Sequence, residues 1–322
     1  AIESDLLEAL CVAKRYPLSE ACVPNEFLIN VLESALSNSG SGDGWDEVMH
    51  RRIAHTWRTR EPALIWLDDK LAQVATTAQL CGLELHLPIL AHALAGDDAA
   101  EERVRSEVAE RAARGESLVV KPRHGANSKH VFLWPGHGSK AEEAALLDSV
   151  AAAIRGHDAS WERECWQLAQ VPRGVIVQPL YSIAVGGHDG GGLRSRIAPL
   201  ELKVQVLFGE VVGGTLNTHP GDLWVTRDGR VQLWNFEDLQ ARGHTRCRKV
   251  DREYGRKLPP GLVEALCGAL REGWATVRGM SERLARAAAL DELRVDWLLG
   301  DPRWGPRIGE LTYMGAGSRL SP

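Results

Sequence analysis

Hydrophobic residues recur every three or four positions through several long segments, which is the spacing of an amphipathic helix. Two of these segments, SDLLEALCVAKRY and NEFLINVLESAL, lie near the amino end, and the connector SNSGSGDG separates them from a third, WDEVMHRRIAHTW. The segment LDDKLAQVATTAQLCGL predicts a helix with Asp68 or Asp69 as its N-cap and Gly82 as its stop. Helical patterns also cover about 98–114 and about 260–290.

Other segments alternate between apolar and polar residues or form short apolar runs, and these patterns predict strands. Their sequences are SLVVKP, HVFLW, GVIVQPLY, LELKVQVLF, EVVGGTL and DLWVTRDGRVQLWNF, with a hairpin turn predicted at Asp228-Gly229. Hairpins imply antiparallel pairing. Because helices and strands are mixed along the chain, the sequence predicts an α+β fold.

Composition narrows the class of protein. The 322 residues are 44% hydrophobic and 25% charged, as expected for a globular protein with a sizeable core. The net charge of -5, without a run of Lys or Arg, gives no indication of a nucleic-acid or membrane partner. The six cysteines are scattered, which favours reduced thiols over zinc sites or disulfides. We therefore expect a cytoplasmic protein, unless a targeting segment has been trimmed before Ala1.

Two carboxylates stand in apolar surroundings near the carboxyl end. LRVDWLL and RIGELTY predict two strands joined by the turn GDPRWGP. A turn centred on Arg303 sets Leu299 opposite Arg307, Leu298 opposite Ile308 and Asp296 opposite Glu310. Facing like charges destabilise a sheet, so the two acids need a cation, which a magnesium ion held by both would supply. The alternative is a solvated sheet face on which Arg294 and Arg307 neutralise them.

Two lysines stand where they could meet a phosphate. Lys121 ends an apolar strand and precedes a loop of small and polar residues, whose N–H groups could cradle phosphate oxygens. Lys203 lies on the polar face of LELKVQVLFGE. Taken singly, each is equally consistent with an ordinary surface lysine, Lys121 beside a hairpin loop and Lys203 beside Glu201.

The strand GVIVQPLY ends at Gln178-Pro179. Proline cannot donate to a ladder, so pairing stops there and leaves backbone groups that an adenine edge could use. An ordinary end of an edge strand is the alternative.

In their order and spacing these segments resemble the ATP-grasp superfamily. The resemblance is carried by the Asp-Lys helix start, VVKPRHGAN, QPL, LELKVQVLFGE, RVDW and GELTYMGAGS, and it runs from about Leu67 to Ser318. Several of these forms are similar to the TupA-like branch, which is associated with cell-surface polymer and peptide-linking ligases. The resemblance implies a nucleotide clamped between two α+β lobes with a mobile lid.

The resemblance also divides the chain into four parts. These are a helical N-terminal region (1–66), the N-terminal part of the ATP-grasp unit (67–115), a lid subdomain (116–180) and a C-terminal subdomain for metal and nucleotide (181–322).

The resemblance implies roles for individual residues. Lys70, Lys121 and Lys203 would lie near the phosphates of ATP, and Arg294 would steady the transferred phosphoryl group, so Arg294, Lys203 and Lys121 are the candidate catalytic residues. The lid loop with His124, Gly125, Asn127 and Ser128 would close over the phosphates, and Gln178 to Leu180 would meet adenine. Asp296, Glu310 and Thr312 would hold Mg2+, with Mn2+ as an alternative ion. The chain departs from the superfamily at Gln178, where an acid is common, and at Thr312, where Asn is common.

We therefore predict an ATP- and Mg2+-dependent carboxylate–amine (or thiol) ligase that acts through an acyl phosphate. A kinase that phosphorylates a hydroxyl of a sugar or small molecule is the alternative, and an inactive binding or scaffold relative is the second. The substrate would be a small molecule, peptide or sugar with a carboxylate or hydroxyl. Trp304, in the turn between the two metal strands, is a candidate substrate contact. The segment GGHDGGGLRSR at 186–196 is expected to be a long connection rather than a substrate loop.

Overall fold

A computed structural model describes residues 44–159, 161, 165–182, 200–216, 219–233 and 261–313. The helices predicted before residue 44 and the segment 186–196 lie outside these ranges. Within them the chain forms two lobes, each with an antiparallel sheet and packed helices, so the predicted α+β class is confirmed.

The helices in the described ranges are α1 (Gly44–Thr59), α2 (Lys70–Cys81), α3 (Asp98–Ala113), α4 (Lys140–Arg155) and α5 (Leu262–Ala287), with short 3-10 helices at Pro62–Leu67 and Trp166–Gln170. The strands are β1 (Ala91–Leu94), β2 (Leu118–Pro122), β3 (Phe132–Trp134), β4 (Gly174–Pro179), β5 (Leu200–Leu207), β6 (Glu210–Leu216), β7 (His219–Thr226), β8 (Val231–Leu233), β9 (Glu292–Leu299) and β10 (Arg307–Thr312). None of the described helices is both long and apolar enough to cross a membrane.

The small lobe is a four-stranded sheet in the order β1-β4-β2-β3, with α3 and α4 packed against it. Its core joins Val104 and Val108 of α3 to Val120, Val150 and Val177. Because β1 pairs with β4, the sheet takes strands from both sides of the division proposed at 115/116.

The sequence patterns did not predict α4 or β1. A signal for α4 was present, because Ser139 and Glu142 form a capping box at its start: the Ser139 side chain accepts from the Glu142 N–H and the Glu142 carboxylate accepts from the Ser139 N–H. Strand β1 is only four residues long, and its pairing with β4 spans more than eighty residues of sequence, so no local pattern marks it.

The large lobe is a six-stranded sheet in the order β10-β9-β5-β6-β7-β8. Its apolar face packs against the amphipathic helix α5, where the Trp297 indole donates to Ser281 Oγ at 2.9 Å. The alternation predicted for LELKVQVLF is confirmed, because Leu202, Val204 and Val206 lie in this core. Lys203 and Gln205 therefore lie on the opposite face of the sheet.

The predicted register of the β9–β10 hairpin is confirmed at the acids and wrong near the turn. Asp296 is paired with Glu310, but Arg307 is paired with Leu298 and Ile308 with Trp297. A bulge between Ile308 and Glu310 absorbs the one-residue difference. Arg307, the partner of Leu298, thereby lies on the same face as Asp296.

Helix α2 begins and ends as predicted. Asp69 is the N-cap, and its Oδ1 accepts from the N–H of Leu71 at 3.0 Å and of Ala72 at 3.2 Å. Gly82 ends the helix in the left-handed conformation that favours glycine. Asp68, the alternative cap, instead ends the preceding 3-10 helix.

Helix α2 is joined to the edge strand β10 through the buried side chain of Gln73. Its Nε2 donates to Leu311 O at 3.1 Å, and its Oε1 accepts from Leu311 N at 3.2 Å. The Gln73 amide thereby pairs with the outward-facing N–H and C=O of Leu311 on the edge strand of the described sheet.

Replacing this amide should destabilise the protein. We expect Gln73→Ala to lower the free energy of unfolding by about 2 kcal/mol, because it leaves a buried N–H and C=O without partners. Chemical denaturation measures this change. Gln79→Ala, at an exposed position of the same helix, is the control and should be near neutral; equal effects of the two variants would contradict the role given to Gln73.

His86 should make stability depend on pH. It is buried beside Thr77 and β10, and burial, with the positive charge of Lys121, lowers its pKa from 6.5 to about 3. Between these values the unfolded chain binds a proton that the folded chain does not, so stability is lost as pH falls from 6.5 towards 3.

We expect this loss to reach at most about 1.4 kcal/mol per pH unit from His86. His86→Gln removes the titrating group, so its free energy of unfolding should fall less steeply between pH 6.5 and 4 than that of the wild type. Denaturation at a series of pH values measures both slopes, and parallel slopes would show that His86 does not cause the loss.

Candidate active site

Polar side chains stand side by side on three neighbouring strands of the large sheet. The register pairs Lys203 of β5 with Asp296 of β9, and Asp296 with Glu310 of β10. The next row, two residues along, holds Gln205, Arg294 and Thr312. Directly paired residues share a face of a sheet, so both rows lie on the face opposite α5.

Asp296 is the most enclosed acid of this face, with 1% of its surface exposed. Arg294 donates to both of its oxygens, from Nε at 2.7 Å and from Nη2 at 3.0 Å. Lys203 Nζ lies 3.0 Å from Oδ2. Burial opposes the charge of Arg294, but the attraction and hydrogen bonds of Asp296, together with the charges of Glu310 and Glu201, outweigh burial and raise the pKa of Arg294. The two cations thus compensate the buried carboxylate.

Glu310 is half-buried and is neutralised from another part of the chain. Lys70 Nζ, at the start of α2, lies 3.2 Å from Glu310 Oε1. Burial would raise the pKa of Glu310, but the charges of Lys70, Arg294 and Lys121 outweigh burial and lower it. Glu310 is therefore a carboxylate at neutral pH.

The alternative predicted for this face is wrong in two respects. Arg307 does not neutralise either acid, since the contact of its guanidinium is with Pro306 O at 3.5 Å. The face is also not fully solvated, because the side chains of Asp296 and Arg294 are 1% and 11% exposed. Arg294 does neutralise Asp296, as that alternative has it, and Lys203 and Lys70 supply the other compensating charges.

The start of α2 joins this face to the loop after β2. Lys70 Nζ donates to Gly125 O, and Lys70 N donates to Arg123 O at 3.3 Å. The Arg123 guanidinium in turn donates to both oxygens of the N-cap Asp69, from Nε to Oδ1 at 2.7 Å and from Nη2 to Oδ2. Glycine at position 125 lets the loop pass close to Pro122, because a Cβ there would stand 2.4 Å from Pro122 Cγ.

Lys121 brings a further positive charge from the small lobe. Burial and the neighbouring charge of Lys70 lower its pKa to about 8, while Glu310 and Glu201 act in the opposite direction. Its ammonium group is thus electrostatically coupled to residues of the large lobe. Lys70, Lys121, Lys203 and Arg294, four of the predicted site residues, therefore belong to one cluster with Asp296 and Glu310.

The predicted lid loop is placed only in part beside this cluster. The His124 ring points into the small lobe, where Nε2 lies 2.8 Å from Gly156 O and Nδ1 lies 3.3 Å from Gly174 N. Both ring nitrogens are thus engaged away from the cluster. Asn127 and Ser128 are exposed at the end of the loop, with φ of 56° and 54°.

The predicted adenine segment ends β4. Gln178 is buried and its Nε2 donates to Leu87 O at 2.8 Å, and Leu180 N donates to Ser117 O at 3.0 Å. The next residue, Tyr181, accepts from Asp301 N at 3.0 Å and donates to Gly305 O at 2.9 Å. These bonds tie the end of β4 to the turn between β9 and β10.

Trp304 lies in that turn. Its partly buried side chain packs against the core of the large lobe, as expected of a structural tryptophan. The role of substrate contact suggested for it stays a prediction.

The carboxylate oxygens of this face are ligands that a hard divalent ion such as Mg2+ prefers. Asp296 and Glu310 offer carboxylate oxygens from adjacent positions of two strands, and Mg2+ often takes two carboxylates and completes its shell with phosphate and water. The Thr312 hydroxyl accepts from Arg294 at 2.9 Å and lies in the next row. Binding would require Lys203 or Arg294 to give up part of its hold on Asp296.

Asp68, which the sequence marks only as a candidate helix cap, borders the cluster. Burial raises its pKa to about 7, and the charges of Glu310, Lys70 and Arg294 all act on it. Its Oδ2 lies 3.1 Å from the thiol sulfur of Cys165. The doubled acid before Lys70 was the available signal, but the contact with Cys165 joins residues 97 positions apart and is invisible in the sequence.

The buried acid should matter for stability as well as for chemistry. Asp296→Asn should lower the free energy of unfolding by about 3 kcal/mol, because Lys203 and Arg294 would then face each other without a carboxylate. Asp228→Asn is the control, since Asp228 pairs with Arg230 in the turn between β7 and β8 but is 54% exposed, and its effect should be near neutral. Urea denaturation compares the two, and equal costs would contradict the account of Asp296.

Comparisons with known proteins gave distant structural similarities. No family model and no curated protein matches the chain. Among solved structures it is similar to D-cycloserine synthetase DcsG, at 19% identity and a TM-score of 0.39 over 78% of this chain and 63% of that chain. It is also similar to the ATP-grasp ligase PsnB complexed with precursor peptide PsnA2 and AMPPNP, at 14% identity and a TM-score of 0.35 over 89% of this chain and 64% of that chain.

A third similar structure is the macrocyclase MdnC bound with precursor peptide MdnA from Microcystis aeruginosa MRC, at 12% identity and a TM-score of 0.33 over 84% of this chain and 63% of that chain. The chain thus spans less than two thirds of the length of each of the three. Because these TM-scores and identities are low, a functional proposal for this chain rests on its own residues.

Proposed function

We propose that this chain is an ATP- and Mg2+-dependent ligase that joins a carboxylate to an amine or thiol through an acyl phosphate. The observation that carries the proposal is the cluster between the lobes, in which Lys70 contacts both Glu310 of the large sheet and Gly125 in the loop after β2 of the small lobe. The order of the motifs, which resembles the ATP-grasp superfamily and its TupA-like branch, supports the same function.

The cluster has the charges that phosphoryl transfer requires. A triphosphate carries several negative charges, and Lys70, Lys121, Lys203 and Arg294 supply positive charge on a protein that is acidic as a whole. Mg2+, when bound through Asp296 and Glu310 with Thr312 nearby, would neutralise further phosphate charge. Phosphoryl transfer is accelerated mainly by such positioning and charge stabilisation, so the protein needs no nucleophile of its own.

The reaction would proceed in two displacements. A substrate carboxylate oxygen attacks the γ-phosphorus of ATP, and the bond from that phosphorus to ADP breaks. An amine or thiol then attacks the carbonyl carbon of the acyl phosphate, loses a proton and displaces inorganic phosphate. Lys203 of β5 and Arg294 of β9, which both contact Asp296, would stabilise the charge on the transferred phosphoryl group.

A kinase is the second candidate, and one observation favours it. Transfer to a hydroxyl benefits from a base with a pKa near the working pH, and Asp68, with a pKa of about 7, borders the cluster. Product analysis separates the two. A ligase releases phosphate only when both a carboxylate and an amine or thiol are supplied, whereas a kinase leaves phosphate on an alcohol.

Nucleotide binding gives the test of the site itself. ATP with Mg2+ should raise the melting temperature of the wild type by mass action. Glu310→Gln should remove most of this increase and reduce turnover at least about a hundredfold, because a carboxylate that holds the metal and balances Lys70 is lost. Differential scanning fluorimetry and an ADP-release assay measure the two effects.

Glu210→Gln is a matched control for this variant. Glu210 lies on β6 of the same sheet, its side chain is 38% exposed against 35% for Glu310, and it pairs with Arg227 at 2.9 Å. It should behave as the wild type in both assays. Absence of any thermal shift in the wild type with ATP, ADP or a non-hydrolysed analogue and Mg2+ would overturn the proposal and favour an inactive scaffold.

A further inference from the structure

One half-buried tryptophan lies on the polar face of the large sheet. Trp224 of β7 is paired with Thr215 of β6, and Thr215 is paired with Lys203 of β5. Its sequence neighbours Leu223 and Val225 are 1% and 0% exposed in the core beneath the sheet. Alternation therefore places the indole on the same face as Lys203, Asp296 and Glu310.

A glycine lets the indole lie back towards the charged cluster. A Cβ at Gly213 would stand 2.2 Å from Trp224 Cζ2 and 2.6 Å from Cε2, so the ring covers the place where any other residue would put its side chain. Gly213 is the direct partner of Gln205, and Gln205 is the direct partner of Arg294. The ring thus rests two strands from Arg294, or roughly 10 Å at the usual strand spacing.

We propose that Trp224 is a specificity-determining residue that stacks against a flat ring in the body of the carboxylate substrate. This inference rests on the proposed function, in which the reacting carboxylate lies beside Lys203 and Arg294. A ring joined to that carboxylate by two or three bonds would reach the indole along the sheet. The face of tryptophan stacks on a ring that presents a broad C–H or π surface. A pyranose presents a C–H surface and an aromatic ring presents a π surface.

The charges around the indole support a substrate with one acidic end. Lys203 and Arg294 lie on β5 and β9, between the indole and β10, and attract the carboxylate. Thr215, beside Trp224 on β6, is uncharged. A substrate bound across these strands is therefore oriented, with its acid towards Lys203 and Arg294 and its ring towards β7. An extended substrate without a ring would leave the indole without a stacking partner.

The test uses the whole protein labelled with 5-fluorotryptophan and three carboxylates. Loss of one fluorine signal in Trp224→Phe assigns the resonance of Trp224. Titration with 3-phenylpropanoate and with N-acetylmuramate, whose carboxylate is three bonds from its pyranose ring, should shift this resonance for at least one of the two, and which one responds identifies the ring as aromatic or pyranose. Acetate, which has the carboxylate without a ring, should not shift it.

Two variants measure the contribution of the ring. Trp224→Ala should weaken binding of the responding probe about tenfold, and Trp224→Phe should restore most of the affinity. Trp224→Leu, which keeps an apolar side chain at this position but has no ring face, should weaken the probe as Trp224→Ala does. It keeps the test decisive if Trp224→Ala does not fold.

Trp274→Phe is the matched control. Trp274 of α5 covers Gly229 in the same manner, with Cδ1 2.4 Å from the place of a Cβ, but it belongs to the core packing of the large lobe. It should leave probe affinity unchanged.

Binding of ATP and Mg2+ is measured separately, so that failure of the proposed function can be told apart from failure of this inference. Trp224→Ala should keep the thermal shift of the wild type. A Trp224 resonance that responds to neither ring probe, or that moves equally with acetate, would overturn the inference even if ATP binds. If the ring probes shift the Trp224 resonance but the protein does not bind ATP, the proposed ligase function is contradicted, and Trp224 is still a ring-binding residue.

Discussion

Asp296 and Glu310 face each other across β9 and β10, and the cations that balance them come from separate parts of the chain. Lys203 lies on β5, Arg294 on β9 and Lys70 at the start of α2. Two opposed carboxylates cannot be enclosed without such partners, since uncompensated buried charge costs several kcal/mol. The polar face is therefore complete only when β5, β9, β10 and α2 have all assembled.

Helix α2 connects the parts of the molecule that must act together. Gln73 binds the edge of β10, Asp69 binds Arg123 beyond β2, and Lys70 reaches both Glu310 and Gly125. The acid on the large sheet and the loop of the small lobe thus have a common support.

Much of the architecture was evident in local patterns. The alternation in LELKVQVLF, the caps of α2 at Asp69 and Gly82, and the Asp228-Gly229 turn each depend on neighbouring residues, and each is confirmed. The predicted pairing of Asp296 with Glu310 is present, although the sequence gives no sign of the bulge before Glu310. Spacing alone cannot show a bulge, because the ladder that it interrupts is formed with a distant partner.

The sequence by itself determined which elements form and which chemical groups the chain has available: oxygen ligands, lysines and an arginine in an order that resembles a nucleotide-binding superfamily. Only the tertiary structure decided which of these groups meet. It turned His124 into the small lobe, brought Asp68 to Cys165 and laid Trp224 over Gly213. The physical reason is that backbone pattern follows from residues a few positions apart, whereas burial, charge compensation and side-chain contact depend on segments that only packing brings together.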